Sequence, residues 1–377
     1  MWSARNWQTQ QTRVRTGKEA DMSDIIISAK DIEVQFRVRD NYLTAIRNVS
    51  LDLYEGETFA IVGESGSGKS VFTKTFTGML ESNGKITNGS IMYHGQDLTK
   101  LKTEKEWASI RGVKIATIFQ DPMTSLNPIR TIGSQITEVI EKHQKLSKAE
   151  AKDQAISIME RVGIPNAAER FDNYPFQYSG GMRQRIVIAI ALSCHPEILI
   201  CDEPTTALDV TIQAQIIKLI KDLQKELGFT TIYITHDLGV VANVADRVGV
   251  MYGGQIIEYG TVNEIFYDPQ HPYTWALLSA LPQLGVKGED LYYITGTPPS
   301  LYNKINGDAF APRNPRALKI DFAQEPPFFK VSDTHYAKTW LLDPRAPKVE
   351  KPDAIKDLHE KILRMTSKGG AFHVGND

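Results

Sequence analysis

The sequence predicts an α/β domain with a largely parallel β-sheet, followed by a smaller, irregular C-terminal module. From about residue 25 to residue 268, short continuous apolar runs alternate with longer stretches of helical periodicity, which is the order of strands and helices in α/β domains. A glycine-rich loop joins one of the apolar runs to a helical stretch. From about residue 269, prolines become frequent and the apolar periodicity weakens.

Composition limits the class of protein. The chain has 377 residues, so two domains, or one domain with a long appendage, are expected. Apolar residues make up 41% and charged residues 23%, and the net charge of −2 gives no reason to expect a nucleic-acid partner. No apolar run approaches the roughly 18–20 residues that cross a bilayer. Cys194 and Cys201 are too few for a disulfide framework and are expected to be buried thiols in a reducing compartment.

Three segments are expected along the chain. Residues 1–22 are polar and lack the apolar centre of a secretory signal, so they predict a disordered tail, with Met22 as an alternative start. Residues 23–268 carry the α/β pattern. Residues 269–377 form the C-terminal module, in which residues 353–365 are compatible with one helix.

The individual elements follow from periodicity and from signals at their ends. Strands are predicted at residues 58–62, 114–119, 198–202 and 230–235, because these runs are short and mostly apolar. Helices are predicted at residues 71–80, 147–162 and 211–227. The second of them opens with the capping-box spacing of Ser147 and Glu150, and the third stops at Gly228. Residues 248–260 predict a hairpin that turns at Gly253 and Gly254.

The glycine-rich loop matches the phosphate-loop pattern G-x-x-x-x-G-K-[ST], with a predicted strand before it and a predicted helix after it. It consists of Gly63, Glu64, Ser65, Gly66, Ser67, Gly68, Lys69 and Ser70. Glycines let backbone N–H groups point inward at the β- and γ-phosphates of a nucleotide, and the helix start adds positive potential. Lys69 would contact these phosphates, and the Ser70 hydroxyl would ligate Mg²⁺.

Two acids follow the apolar run Ile198–Cys201, at the edge where a parallel sheet presents residues to a ligand. Asp202 is predicted to hold Mg²⁺, and Glu203 to polarise the attacking water. Gln120, after the strand at residues 114–119, is a candidate to contact both Mg²⁺ and this water. His236, after the strand at residues 230–235, is a candidate to contact the γ-phosphate and fix the water.

Further strings of sequence resemble the motifs of ABC ATPases over residues 25–268. Residues 178–185 (YSGGMRQR) resemble the signature motif and residues 206–209 (TALD) the D-loop, while Gln120 and His236 match the Q-loop glutamine and the switch histidine. The resemblance implies a phosphate-loop nucleotide-binding domain with a RecA-like core, an antiparallel β subdomain and a helical subdomain. It also implies that two such subunits enclose two ATP molecules, and that further nucleotide-binding positions are Ser179, Gly180, Gly181 and Asp209.

Two features depart from the general family pattern or leave it open. Tyr178 and Met182 stand where Leu and Gln are usual in the signature, and both are similar to the residues of the peptide-importer branch. The aromatic ring that stacks on adenine is Phe36 by its spacing from Ile32, with Tyr42 as the alternative, because stacking needs only a flat ring.

The C-terminal module resembles that of ATPases from oligopeptide and dipeptide importers, and most closely that of the first, D-type ATPase of oligopeptide permeases. The segments that carry this resemblance are residues 269–274, 277–282, 296–301 and 307–313. Importers of nickel and other small solutes share the module and remain an alternative. A non-transport ABC ATPase is a less favoured one, since the chain has a single motif set and no sustained heptads.

Many relatives with this module carry four cysteines that bind an iron–sulfur cluster. The matching positions here are Asp308, Asn314, Asp321 and Thr339. Such clusters are held by thiolates, so no iron–sulfur cluster is expected. The four residues are expected to be solvated loop positions rather than a site for a hard metal ion.

The resemblance also implies the partners and the location. It implies a second, homologous ATPase subunit and two transmembrane permease subunits, which would dock near Gln120 and residues 131–170. It further implies an extracellular peptide-binding lipoprotein. The chain would then be a peripheral protein at the cytoplasmic face of the cell membrane.

Overall fold

The computed structural model describes residues 25–120, 125–206, 208–280 and 294–356. The predicted tail at residues 1–22 lies outside the described residues, as does most of the helix considered at residues 353–365. Of that helix, the structure describes the single turn Asp353–Lys356.

Five neighbouring parallel strands form one side of the larger sheet, which confirms the predicted parallel sheet. In spatial order they are β6 (Ile115–Ile118), β7 (Ile198–Asp202), β8 (Thr230–Ile234), β3 (Thr58–Val62) and β9 (Arg247–Tyr252). Alternate side chains of β3 enter two hydrophobic clusters, with Phe59 and Ile61 in one and Ala60 and Val62 in the other. Because both faces are covered, this strand is a continuous apolar run in the sequence.

The smaller sheet is antiparallel and packs over one face of the larger sheet. Its strands, in spatial order, are β2 (Asn41–Tyr54), β1 (Ile25–Val38), β4 (Gly84–Tyr93) and β5 (Gln96–Asp97). The cluster that contains Phe59 and Ile61 also contains apolar side chains of β1 and β2. The antiparallel β subdomain implied by the family resemblance is therefore present.

The helices begin and end at residues whose chemistry fits those positions. In chain order they are α1 (Lys69–Thr77), α2 (Glu104–Ala108), α3 (Ile132–His143), α4 (Lys148–Arg161), α5 (Ala167–Arg170), α6 (Gly180–Leu192), α7 (Val210–Leu227), α8 (Leu238–Val244), α9 (Val262–Tyr267), α10 (Pro272–Ser279) and α11 (Asp353–Lys356). As predicted, α4 starts with a capping box of Ser147 and Glu150. As also predicted, α7 ends at Gly228, whose φ of 76° suits glycine.

The C-terminal part of the chain continues the larger sheet. β10 (Gln255–Thr261) runs antiparallel to β9 after the predicted turn at Gly253 and Gly254. β12 (Tyr336–Ala337) then pairs with β10, and β11 (Phe329–Lys330) pairs with β12. This irregular segment is therefore hydrogen-bonded to the α/β part of the chain.

Four buried positions correct one prediction. The residues expected to be solvated are 2–8% exposed: Asp308, Asn314, Asp321 and Thr339. Each of their side chains accepts a hydrogen bond from a backbone N–H two or three residues away. The prediction of solvated loops was wrong because local backbone donors replace water here, which lets polar side chains enter a buried region.

The two cysteines differ in burial. Cys201 is buried as predicted, whereas Cys194 is only half-buried, so that the prediction for Cys194 was wrong. Cys194 lies just after the end of α6, where its thiol donates to the carbonyl oxygen of Val139.

None of the helices in the described part of the chain is long and apolar enough to cross a membrane.

Candidate ATP-binding site

The phosphate loop connects β3 to α1, and its first glycine has no room for a side chain. Gly63 has a φ of 150°, and a Cβ atom there would lie 2.1 Å from the carbonyl oxygen of Met251 on the adjacent strand β9. Gly68, with a φ of 104°, immediately precedes α1. The loop therefore passes close to β9 before it delivers Lys69 and Ser70 to the start of the helix.

Lys69 is held inside the curve of the loop. Its Nζ donates to the carbonyl oxygens of Gly63 at 2.9 Å and Glu64 at 3.0 Å, and the residue is 7% exposed. Burial lowers the pKa of Lys69 from its usual value, while the negative charges of Glu203 and Asp202 oppose that shift. A buried ammonium group whose hydrogen-bond acceptors among the described residues are carbonyl oxygens is suited to bind an incoming phosphate oxygen.

The hydroxyl group of Ser67 also fits a phosphate ligand. Its oxygen is buried, and it has no hydrogen-bond partner in the described part of the chain. A buried polar atom without a partner costs free energy, and a phosphate oxygen in the loop would supply one. Together with Lys69, this observation supports the loop as an anion cradle.

Ser70 and Asp202 meet at the ends of α1 and β7. The Ser70 hydroxyl donates to Asp202 Oδ1 at 2.9 Å. Burial raises the pKa of Asp202, the hydrogen bond from Ser70 opposes this shift, and the charge of Glu203 adds to it. A hydroxyl oxygen and a carboxylate oxygen are the kind of ligand that Mg²⁺ prefers, and a cation here would also offset the cost of the buried carboxylate.

Glu203 is the centre of a hydrogen-bond network. Its Oε2 accepts from Gln120 Nε2 at 2.8 Å and from Thr206 Oγ1 at 3.0 Å, and its Oε1 lies 3.2 Å from His236 Nδ1. The φ of Glu203 is 47°, in the left-handed region that non-glycine residues rarely adopt. In this backbone conformation the carboxylate has Gln120, Thr206 and His236 as neighbours, whereas that of Asp202 pairs with Ser70.

The structure thus brings together five residues that the sequence analysis proposed from separate motifs: Ser70, Gln120, Asp202, Glu203 and His236. Thr206 was noted only as part of the D-loop string, and its hydrogen bond to Glu203 was not predicted. A hydroxyl three residues after an acid is too common a pattern to indicate such a contact.

The signature residues occupy the start of α6. The Ser179 side chain caps this helix by accepting from the Met182 N–H at 3.4 Å. Gly181 lies against α7, since a Cβ atom there would be 2.8 Å from Ile212 Cγ2. Asp209 caps α7 in turn, accepting from the Ile212 N–H at 3.0 Å. In the parts of the chain that the structure describes, no hydrogen bond or ion pair joins Ser179, Gly180, Gly181 or Asp209 to the phosphate loop.

The two candidates for adenine stacking differ in exposure. Phe36 is buried on β1, and its ring lies close to Gly84 on β4. Tyr42, on β2, is half-exposed, and Lys85 Nζ lies 5.8 Å from the centre of its ring. Tyr42 therefore offers the more accessible ring face, and both residues remain candidates.

Two residues from the C-terminal part of the chain contact the phosphate loop, and the sequence analysis missed both. The guanidinium group of Arg313 forms two hydrogen bonds with the Glu64 carboxylate, and the Tyr273 hydroxyl accepts from the Glu64 N–H. These pairs lie 249 and 209 residues apart in the sequence. Motif spacing carries no signal for contacts at such separations.

Comparison with known sequences identifies relatives over most of the chain. A family model described as ABC transporter matches residues 46–206, and one described as the C-terminal region of oligopeptide/dipeptide transporters matches residues 257–320. The chain is 69% identical over 353 residues to the oligopeptide transport ATP-binding protein AmiE of Streptococcus pneumoniae, which covers 94% of this chain and 99% of that protein. It is 57% identical to the dipeptide transport ATP-binding protein DppD of Lactococcus lactis, covering 88% of this chain and 95% of that protein.

Solved structures share the fold of the α/β part. A dimeric ATP-binding cassette bound to ADP and Pi in a post-hydrolysis state is 27% identical, with a TM-score of 0.56 over 63% of this chain and 98% of that chain. A component of an ABC transporter complex from Clostridium perfringens is 28% identical, with a TM-score of 0.57 over 65% of this chain and 92% of that chain. The chain belongs to the ABC transporter family, in the group whose named members are oligopeptide and dipeptide transport ATP-binding proteins.

Proposed function

We propose that this chain is the ATP-binding and ATP-hydrolysing subunit of an importer of oligopeptides. The observation that carries the proposal is the convergence of Lys69, the Ser70–Asp202 pair and Glu203 at one edge of the parallel sheet. The relatives named as oligopeptide and dipeptide transport proteins support the substrate class. Residues 23–268 would form the ATPase domain and residues 269–377 the transporter-type C-terminal module.

The phosphate loop binds the nucleotide in this proposal. Backbone N–H groups of residues 63–68 and the ammonium group of Lys69 hold the β- and γ-phosphates, and the Ser67 hydroxyl gains the partner it lacks among the described residues. Phe36 or Tyr42 stacks on the adenine ring. The start of α1 adds a favourable potential for the phosphate charge.

Ser70 and Asp202 would hold Mg²⁺, and Gln120 would be a further ligand of the ion. The side chains of Ser70 and Asp202 supply oxygen atoms of the kind that Mg²⁺ prefers, and a bound nucleotide would supply phosphate oxygens beside them. When bound, Mg²⁺ offsets the negative charge of the phosphates.

Glu203 is the proposed general base for the attacking water. Gln120 and Thr206 donate to one carboxylate oxygen, which fixes the orientation of the group, while the other oxygen lies beside His236. The carboxylate accepts a hydrogen bond from the water and takes its proton as the water oxygen bonds to the γ-phosphorus. The bond from that phosphorus to the β–γ bridging oxygen breaks in the same step, and ADP leaves with the electron pair. His236, whose side chain is 64% exposed, would contact the γ-phosphate.

The partners would be those of a peptide importer. A second, homologous ATPase subunit would place its phosphate loop opposite Ser179, Gly180, Gly181 and Asp209. Two transmembrane permease subunits would dock near Gln120 and residues 131–170. Exposed apolar side chains at Phe119, beside Gln120, and at Ile129, just before α3, support this surface. An extracellular lipoprotein would deliver the peptide, and the chain would lie at the cytoplasmic face of the membrane.

Two substitutions test the proposal in the assembled transporter, reconstituted with its partner subunits. We expect Lys69→Ala to abolish MgATP binding at this site and peptide uptake, because it removes the cation of the cradle. We expect Glu203→Gln to retain MgATP but to lower hydrolysis by about 10²–10⁴-fold, because an amide cannot accept the proton of water. Nucleotide binding, phosphate release and uptake of a labelled oligopeptide are measured for each variant. Uptake by the Lys69→Ala complex at the wild-type rate would contradict the proposal.

A further inference from the structure

Glu64, the second residue of the phosphate loop, has partners in a distant part of the sequence. Arg313 Nη1 donates to Glu64 Oε2 at 2.6 Å, and Nη2 donates to Oε1 at 3.0 Å. The Glu64 N–H donates to the Tyr273 hydroxyl at 2.8 Å. Both the side chain and the backbone of one loop residue are therefore held by the C-terminal part of the chain.

Arg313 is itself fixed in place. Its side chain is 5% exposed, whereas that of Glu64 is 27% exposed. Its Nε donates to the carbonyl oxygen of Thr295 at 2.9 Å, and its Nη1 also lies 3.2 Å from the Tyr252 hydroxyl. These contacts fix the position and the plane of the guanidinium group. The group therefore defines the position and the plane of the carboxylate that it binds.

Tyr273 is equally constrained. It lies on α10, is fully buried, and its ring contacts those of Tyr252 and Phe310 at centroid distances of 4.5 and 5.3 Å. Its hydroxyl therefore presents a fixed acceptor to the loop backbone. The N–H group of Glu64 would lose this partner if the hydroxyl were absent.

Glu64 connects these contacts to the cation of the cradle. Its carbonyl oxygen accepts from Lys69 Nζ at 3.0 Å, next to the bond from Lys69 to Gly63. A second set of contacts also reaches the phosphate loop. Ala309 lies against the turn at Gly253. The next residue, Gly254, donates its N–H to the Ser67 carbonyl oxygen at 3.0 Å. Contacts from three positions of the C-terminal part thus converge on the phosphate loop.

We propose that Arg313 and Tyr273 are positioning residues for nucleotide binding, which hold the phosphate loop through Glu64 in the shape that accepts the β- and γ-phosphates. The C-terminal module is then a structural part of the ATP site as well as a mark of the transporter type. The inference rests on the proposed function, because it concerns binding of MgATP by this same loop.

Two conservative variants distinguish a positioning role from an effect of charge alone. Arg313→Lys keeps the positive charge but cannot form the paired hydrogen bonds, and Tyr273→Phe removes a single oxygen atom. We expect each to weaken binding of MgATP to the full-length chain about five- to tenfold, the order expected for loss of one supporting hydrogen bond to a charged or buried group. Arg345→Lys is the matched control, since Arg345 is exposed and pairs with Asp343 in the same module. It should bind as the wild type does.

The readouts distinguish positioning from a general loss of stability. Dissociation constants are measured with MgATP, melting temperatures without nucleotide, and KM and kcat for ATP in the assembled transporter. We expect KM to rise about as much as the dissociation constant, with kcat within about threefold of the wild-type value. Combining Arg313→Lys with Glu64→Asp should weaken binding little beyond either change alone, because both changes break one contact.

Several outcomes would overturn the inference. Wild-type affinity in both Arg313→Lys and Tyr273→Phe, whatever their melting temperatures, would show that these contacts do not position the loop for nucleotide binding. If Arg313→Lys fails to fold, Tyr273→Phe decides the question, since it keeps the size of the buried ring. A wild-type chain that does not bind MgATP would instead contradict the proposed function itself.

Discussion

Asp202 and Glu203 are consecutive residues, but their carboxylates have different hydrogen-bond partners. Asp202 ends β7 and accepts from Ser70, whereas Glu203 turns toward Gln120 and His236 through its left-handed backbone conformation. The two like charges still interact, since the charge of Glu203 contributes to the raised pKa of Asp202. The different partners separate two proposed tasks, since a carboxylate beside a hydroxyl can hold a cation while the other remains available to accept a proton.

Asp308 provides a test of charge burial in the C-terminal module. Burial raises its pKa to about 7 from a usual value of 3.8, with Asp321 adding to the shift and Lys338 opposing it. Because the folded chain holds this proton more tightly than the unfolded chain, the stability that the protonated group provides is complete below pH 3.8 and is lost as the pH rises to about 7. We expect Asp308→Asn to raise the free energy of unfolding by about 1–3 kcal/mol at pH 7.5, and by less at pH 4.5.

Urea denaturation of the full-length chain at the two pH values measures this effect. Asn keeps the side-chain oxygen that accepts from the Phe310 N–H, so the local turn should persist. Asp343→Asn is a suitable control, because Asp343 lies in the same module and the hydrogen bonds from Arg345 lower its pKa instead. A gain from Asp308→Asn that is the same at pH 4.5 and pH 7.5 would contradict the assignment of this shift to burial.

At the residue scale, the sequence predicted those site residues whose chemistry lies within one short segment. The phosphate loop and the acid pair each follow an apolar strand, and that local context is sufficient to propose a role for them. The partners of Glu64 and the burial of Asp308 were not predictable in this way. Which side chains meet across a fold depends on packing in three dimensions, and neither spacing nor composition records it.

At the element scale, α6 and α7 start side by side at residues of two separate motifs. Ser179 caps α6, Asp209 caps α7, and Gly181 brings the two helix starts into close contact at Ile212. Two helix N-termini at one place produce a positive potential that favours an anion. The same side chains that satisfy free backbone N–H groups can therefore also face a nucleotide held by a partner subunit.

Asp209 allows capping and nucleotide binding to be separated. Asn caps a helix about as well as Asp, while Ala does not, and loss of a cap costs about 1 kcal/mol. We expect Asp209→Asn to unfold like the wild type and Asp209→Ala to be about 1 kcal/mol less stable. If the carboxylate acts at the interface between subunits, both variants should lower ATP turnover of the assembled transporter about tenfold. Turnover at the wild-type rate in Asp209→Asn would restrict this residue to capping.

Elements with strong end signals were predictable, whereas the shortest ones were not. The capping box of α4, the glycine stop of α7 and the turn between β9 and β10 are all where the sequence predicts them. β11 and β12 contain two residues each, too few to show alternation of apolar and polar positions. Their pairing with β10 depends on the rest of the C-terminal fold.

At the scale of the whole molecule, the described chain contains two separate groups of candidate nucleotide-binding residues. The phosphate loop, Asp202 and Glu203 form one group, and the signature residues at the start of α6 form another. A structural relative of known structure is a dimer of ATP-binding cassettes. In the proposed assembly, each subunit would complete the nucleotide site of the other, and ATP would favour the closed state by contacts that exist only there.

Ser179→Arg tests this arrangement at the whole-molecule scale. The substitution fills the start of α6 with a long side chain but leaves the phosphate loop of the same chain unchanged. We therefore expect the full-length chain to bind MgATP as before, while ATP turnover of the assembled transporter falls by about tenfold or more, because the partner's nucleotide can no longer contact the signature helix. Asn263→Arg, at an exposed position of α9 away from the nucleotide site and from residues 131–170, controls for the added charge and should leave turnover unchanged. Because loss of the Ser179 cap alone costs about 1 kcal/mol of stability, melting temperatures are measured in parallel. Wild-type turnover in Ser179→Arg would show that the signature residues of this chain do not complete a site in its partner.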